Sequence, residues 1–566
     1  MRPEGQGRAG FGRHAALALA FWLALTGRGL AQTCEGETVA SLYPDATMFD
    51  AAIASEANFP PVERRLTGVT IPHHLVAGHL MARGLHATAA HSYDRIILLA
   101  PDHFRRVRMA ATTRLDFETV LGRVETDRPA AETLLAGGLE EICQLTNEHG
   151  VQALLPFIRH YQPGARIVPV IISARSSRAD WDRLIAMLLP LIDERTLIVQ
   201  STDFSHYLSH ATARPMDQQT LNVLSGGTAD MLAALRQSEN LDSPGALYVH
   251  VTLQRQRHGA DPVVIASLNQ QELTSAPVPE TTSYMVILFG AFDPEDVVHE
   301  PDATMVYFAG DTLFGRAIAP ALSDADAAER AAQAVLARTR GKPLVVNLEG
   351  AILPNVPEAL PHLTLAMPAD LTLDWLGRLG VAGVGLANNH AMDLGQNGIA
   401  ETKAALESAG IGWFGQGDRL DIGRLSIIGL TDVESNGPPF VDLVDDELLD
   451  RLVVEDATRP VAAFIHWGRE YVAAPDRRET ELAHSMRLRG ASLIVGAHPH
   501  VASDGLAALA GGEALMAYSL GNFIFDQSSA TASGKLLEVR VFDQGTYFAR
   551  LIDLPNLFDL AKGAPR

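Results

Sequence analysis

Cysteine is almost missing from this chain: two among 566 residues, Cys34 and Cys143. Neither has a CxxC neighbour, which excludes a structural thiolate zinc site. The two are open to pairing in an oxidising compartment or to staying apart. Basic residues are also scarce. Lys and Arg total 45 against 67 Asp and Glu, for a formal charge of -22. Such a surface repels nucleic acid and anionic lipid, so neither is an expected partner. It would also repel a polyanionic substrate unless bound cations reverse the field locally. Aromatics are few, at 6%, but an apolar fraction of 47% is enough for sizeable cores. Beyond the amino terminus no uncharged apolar run reaches transmembrane length, so no span is expected in the mature chain.

The amino terminus reads as a targeting segment. Arg2, Arg8 and Arg13 precede the apolar run "AALALAFWLAL" (15–25), and small residues Gly29 and Ala31 flank Leu30. This pattern predicts a signal peptide over 1–31, cut after Ala31, and an exported, periplasmic chain. An uncleaved membrane anchor is the alternative, although the apolar core is short for a span.

The remaining length is too great for one ordinary domain. The acidic, proline-bearing stretch "AFDPEDVVHEPDA" (291–303) breaks the strand and helix rhythm on both sides. A linker is therefore expected over 293–302, between domains at 60–292 and 303–550.

In the second half, apolar runs repeatedly end in polar groups. "TMVYFAGD" ends in Asp311, "PLVVNLEG" in Asn347 and Glu349, and "VAGVGLANNH" in Asn389 and His390. "VAAFIHWG" presents His466, "SLIVGAHPH" His498 and His500, and "LMAYSLGNFIFD" Asn522 and Asp526. Helical patterns such as "GIAETKAALESAG" lie between them. Alternating strands and helices predict a layered α/β fold, whose ligand site gathers at the carboxyl ends of the strands. Carboxylates, amides and imidazoles collected there are ligands for zinc, manganese or iron. The alternative is a set of unrelated polar strand ends facing water.

"GDTLFGR", "NLEGAI", "ANNHAMDLGQNGIAETKAALESAGI", "HWGREY", "GAHPH" and "YSLGNFIFD" occur in this order. Together they resemble the bacterial capsule-synthesis CapA family, also called poly-γ-glutamate synthesis proteins, a branch similar to the calcineurin-like metallophosphoesterases. The resemblance implies an αββα sandwich. It implies Glu349 as a carboxylate bridging two metals, with Asp311 and His500 on one and Asn389, His466 and His498 on the other. His390 would be the proton donor, oriented by Asp393, and Asn388 would orient its neighbours. Two positions depart from the broader pattern: Leu313 stands where a histidine is usual, and the bridging position is glutamate rather than aspartate.

The first half repeats the strand-end theme. "RLTGVTIPHH" ends in His73 and His74, "RIILLAPDHF" in Asp102 and His103, and "TLIVQSTDFSHY" in Asp203 and His206. Glu148 and His149 precede an amphipathic helix. His250 lacks such company and reads as a surface or core-edge residue. The segments "IPHH", "APDHF", "EHGVQALLPFI", "PVIIS" and "STDFSHY" resemble the Memo-like family, including the AmmeMemoRadiSam system protein B group, which is similar in fold to extradiol dioxygenases. That pattern implies His73, His103 and a downstream cysteine as ligands for iron or copper. Ser243, in "LDSPGALYV", falls near the cysteine position, and His149, Asp203 and His206 are candidates to compensate.

The expectation is an exported metal-dependent hydrolase or transferase acting on a cell-envelope polymer of the capsule or poly-γ-glutamate type, or on a small-molecule substrate. The Memo-like half would be an accessory module. A non-enzymatic polymer-binding or assembly protein with vestigial metal pockets is the alternative, and redox chemistry in the first half is a third.

Overall fold

The computed structural model describes residues 34, 36, 38–292, 303–435, 441–453, 456, 458–527 and 533–562. The expected signal at 1–31 and linker at 293–302 lie outside the described residues. Among those described, no helix is long and apolar enough to cross a membrane.

The first half is built on a nine-stranded sheet. At its centre Leu66–Ile71, Thr196–Ser201, Arg95–Pro101 and Arg166–Ile172 run parallel in that order. All four are buried along their length save Thr67 and the first residues Arg95 and Arg166. Such continuously apolar strands need helices on both faces. Helices Gly78–His86, Leu155–Tyr161 and Pro244–His258 supply part of that cover and share one core with the sheet. Cys34 and Cys143 form a disulfide, with Cα atoms 5.3 Å apart.

The second half stacks two sheets. One orders Gly412–Phe414, Val381–Gly385, Leu344–Leu348, Thr304–Thr312, Lys535–Val541 and Tyr547–Asp553, with Asn522–Ile524 added beside the end of Thr304–Thr312. The other orders Arg419–Ile422, Leu425–Thr431, Val461–His466, Leu493–Ala497, Ala514–Ala517 and Ala507–Leu509. Strand alternation separates the cores. Val306 and Phe308 meet Phe464 and Val495 between the sheets, while Tyr307 and Ala309 face the outer layer with Val335 and Trp375. Ala463 and Ile494 face the opposite outer helix, Arg477–Leu488, through Leu482 and Met486. The result is the αββα sandwich: two layered α/β domains in one chain.

The halves pack on each other. Helix His210–Gly226 lies against Ala507–Leu509, Ala514–Ala517 and Tyr547–Asp553. Gln218 donates to Tyr547 O at 3.0 Å and accepts from Tyr547 N at 2.8 Å. Phe542 and Phe548 from the second half are buried in the first half's core.

Candidate functional site

Register brings the second-half polar groups together. Asp311 is paired with Asn347 on one side and Asn522 on the other, so three strand ends meet at one level. Asn347 donates to Asp311 Oδ1 at 2.9 Å and lies 3.1 Å from His466 Nδ1. His466 Nε2 is 2.9 Å from Asn389 Oδ1. His500 Nδ1 is 3.2 Å from Asp311 Oδ2 and 2.7 Å from Asn522 Oδ1. The His498 ring is 4.6 Å from that of His466, and its backbone N–H donates to both Asp311 oxygens, at 3.0 and 3.1 Å. His498 and His500 carry φ of 95° and 57°. Histidine adopts such backbone only when its surroundings impose it, a strain common at functional sites. Donor atoms of Asp311, Glu349 and His466 lie within 4.8 Å of one another.

His390 stands beside this group. Its Nδ1 is 2.8 Å from Asp393 Oδ2, and its Nε2 faces Glu349 Oε2 at 4.0 Å. Asp393 is held in turn by the Leu365 N–H at 2.8 Å. Asn388 is fully buried; it donates to Leu348 O at 2.8 Å and accepts from His390 N at 3.1 Å.

The donor chemistry fits divalent metal. Burial, and then neighbouring imidazoles, push His466 well below its usual pKa; burial takes His498 down to about 4. Both rings are therefore neutral near pH 7, the form that ligates. Burial, and then the Asp311 charge, raise Glu349 well above the carboxylate range. Two carboxylates buried this closely call for a cation. Leu313 is wholly buried in the apolar core and offers no donor.

The first half has its own cluster. Ile71 and Ser201 are paired in register, so His73 and Asp203, each two residues further on, emerge together. The His73 N–H donates to Asp203 Oδ1 at 3.1 Å. Donor atoms of His73, His103 and His149 lie within 4.8 Å of one another. His103 Nδ1 is 2.6 Å from Glu148 Oε1. Burial, and then the neighbouring His103, take His149 and His206 down to about 4. Burial would lower His103 as well, but the Glu148 hydrogen bond and the Asp242 charge outweigh it and raise the ring. Burial, then the Asp242 charge, push Asp203 up to about 8. His73, His103, His149, Asp203, His206 and Asp242 line a cleft of 530 Å³.

Two family models match this sequence. One, described as Memo-like protein, covers residues 43–284. The other, described as bacterial capsule synthesis protein PGA_cap, covers 305–428 and 446–527. The chain joins a Memo-like half to a PGA_cap half. The capsule biosynthesis protein CapA of Bacillus anthracis is 30% identical over 211 residues, 33% of this chain and 50% of that protein. The PGA biosynthesis protein CapA of Bacillus subtilis (strain 168) is 32% identical over 181 residues, 28% of this chain and 47% of that protein. A MEMO1 family protein of Pyrobaculum arsenaticum is 26% identical over 172 residues, 29% of this chain and 61% of that protein. The chain thus spans about half the length of the CapA relatives it matches.

In the PGA_cap half, Asp311, Glu349 and His466 form a compact donor group, Asn389 and His500 each lie within about a hydrogen-bond distance of a member, the His498 ring lies beside His466, and the His390–Asp393 pair stands at the edge. Asn347 was visible as a strand-end amide without a role, yet it touches Asp311, Glu349 and His466. In the Memo-like half, His206 reaches the cleft wall but not the compact imidazole group. Ser243 is a helix cap: its hydroxyl accepts from Ala246 N. The neighbouring Asp242 faces the histidines instead, with Oδ2 3.3 Å from His73 Nε2. Asp242 ends no apolar run, and nothing local in the sequence sets it beside His73 and His103. His250 is not a surface or core-edge residue: it is fully buried, 3.1 Å from Thr70 Oγ1.

Proposed function

We propose that this chain is an exported, metal-dependent hydrolase or transferase acting on a cell-envelope polymer of the capsule or poly-γ-glutamate type, with the Memo-like half as a partner module. The observation that carries the reading is the buried Asp311–Glu349–His466 cluster with His390 at its edge. The names of the CapA relatives supply the polymer class. The disulfide supports an oxidising compartment.

In this reading Glu349 would be shared between two metal ions, with Asp311 and His500 holding one and Asn389, His466 and His498 holding the other. Bound metal would polarise the scissile bond and lower the pKa of bound water. Asp393 orients the His390 ring through Nδ1, which leaves Nε2 aimed at the cluster. In the doubly protonated ring Nε2 would hand its proton to the departing group, while Nδ1 keeps its own against Asp393. Asn388 and Asn347 hold the neighbouring donors in place.

Leu313 favours a second reading, a polymer-binding protein with weakened metal pockets, because the Asp311 and His500 position has fewer donors. Elemental analysis of dialysed full-length protein, with a panel of phosphoester and γ-glutamyl substrates, separates the two. The enzyme reading expects divalent metal and turnover of one substrate class. Metal without turnover across the panel supports the binder, and absence of metal above pH 7 overturns both.

A further inference from the structure

Proposed capsule chemistry leaves the Memo-like cleft without a task, yet its donors are built to converge. Asp242 Oδ2 lies 3.3 Å from His73 Nε2 and 3.8 Å from His103 Nε2. Each of the three is held from behind. His73 Nδ1 is 3.0 Å from Ser201 Oγ, and His103 Nδ1 is 2.6 Å from Glu148 Oε1. Thr202 Oγ1 donates to the other Asp242 oxygen. The Nε2 atoms of His73 and His103 are thus left facing Asp242 Oδ2, which also accepts from the Asp203 N–H at 3.3 Å. Hydrogen-bonded outer partners that fix ring orientation are the usual support of metal-ligating histidine.

The spacing separates a metal site from a plain ion-pair network. A charge-assisted imidazole–carboxylate hydrogen bond closes to about 2.7–2.9 Å. Two donors, each about 2.1 Å from one ion and at a right angle or wider, stand roughly 3–4 Å apart. Both Asp242 distances fall in that second range. Asp203 also approaches His73 Nε2, at 3.5 Å, but no ion pair of the described residues joins it to His103. Asp242 alone reaches both imidazoles among the ion pairs of the described residues.

We infer that His73, His103 and Asp242 form a two-histidine, one-carboxylate centre for a single divalent ion of the iron(II) or manganese(II) kind, and that Asp242 sets its selectivity against copper(I). A carboxylate oxygen is a hard donor, whereas copper(I) is held best by sulfur. The centre opens on the cleft of 530 Å³, where His206 and His149 stand beside it, the latter with a donor atom within 4.8 Å of those of His73 and His103. An ion held there with positions free toward the cleft would be of the reactive rather than the structural kind. Phe104 and Tyr207, both exposed, and Arg105 also line the cleft. This inference does not depend on the capsule reading, which concerns the other half.

The test uses the full-length chain, stripped of metal and reloaded anaerobically with iron(II), then treated with nitric oxide. The iron–nitrosyl electron paramagnetic resonance signal and the iron(II) affinity are measured. Asp242→Asn is expected to lose the first-half signal and to weaken iron(II) binding there by about 100-fold or more, since ligand-supporting changes alone cost about 10- to 100-fold. Asp242→Cys is expected to retain metal but to favour copper(I) over iron(II) by at least about tenfold relative to the unaltered chain. Ser243→Ala should leave the signal intact, because its hydroxyl serves the helix. His466→Ala should leave it intact too, which assigns it to the first half. Loss of the signal in His466→Ala but not in Asp242→Asn overturns the inference. So does equal copper(I) preference in the unaltered and Asp242→Cys chains, a comparison that decides the matter if Asp242→Asn fails to fold.

Discussion

At the scale of single residues, neighbours in sequence have separated tasks. Asn388, Asn389 and His390 follow one another, but the first points into the fold, the second meets His466 and the third meets Asp393. A strand end that turns immediately delivers three side chains in three directions. If His390 is the proton donor, His390→Ala should lower turnover by about 100- to 10,000-fold while leaving metal content nearly unchanged. His498→Ala should lose metal and turnover together. Asp393→Asn should show a smaller rate loss with altered pH dependence. Full turnover in His390→Ala rules out the donor role. These side chains were readable because each ends an apolar run. Asp242 was not: its partners are His73 and His103, far away in sequence, and only the fold brings a helix start to two strand ends. Ser243 drew attention through its place in the chain, and its hydroxyl proved to be a backbone partner of its own helix.

At the scale of elements, apolar runs gave strand positions well, because fully buried strands read as continuous hydrophobic stretches. Their order was not readable. Nothing local tells Thr304–Thr312 to take Leu344–Leu348 on one side and Lys535–Val541 on the other. That pairing creates a feature with no sequence signal, a buried charge group across three strands. Glu538 sits opposite Tyr307 on one neighbour and Arg550 on the other, with Arg540 beside it. Burial alone would raise the Glu538 carboxyl, but the Arg540 and Arg550 guanidiniums outweigh it and hold the group at about 2. The folded value lies below the unfolded one, so the stabilisation is fully present above the ordinary carboxylate range. It fades as pH falls from about 4.5 toward about 2. Its size is on the order of 3 kcal/mol. Urea unfolding should therefore show stability dropping over that window. Glu538→Gln leaves the buried Arg540 and the half-buried Arg550 guanidiniums without their counter-charge and should cost about 3–5 kcal/mol near neutral pH. That deficit should shrink near pH 3. A deficit of constant size from pH 7 to pH 3 would show that Glu538 does not carry this pH dependence.

At the scale of the whole molecule, the acidic stretch at 291–303 suggested two independent bodies, yet the surfaces on either side of it are shared. Phe542 and Phe548 complete the first half's core, and helix His210–Gly226 lies on strands of the second. Side chains of Gln219 and Asn222 donate to Gly511 O and Gly512 O, both at 2.8 Å. The approach is close enough to need glycine. Gly512 has φ +103°, and a Cβ there would lie 2.9 Å from Gln219 O. An added methyl meets both a backbone that disfavours it and a carbonyl that cannot easily withdraw. Gly512→Ala should therefore push the helix off the strands, expose the two phenylalanines and weaken both halves together. In calorimetry the unaltered chain should unfold in one transition, because the first half's core is incomplete without Phe542 and Phe548. The variant should melt lower and split into two transitions, with faster hydrogen exchange in Leu221, Asn222 and Val223. Two well-separated transitions in the unaltered chain would mean that the seam contributes little, and that each donor cluster is carried by a half able to fold alone.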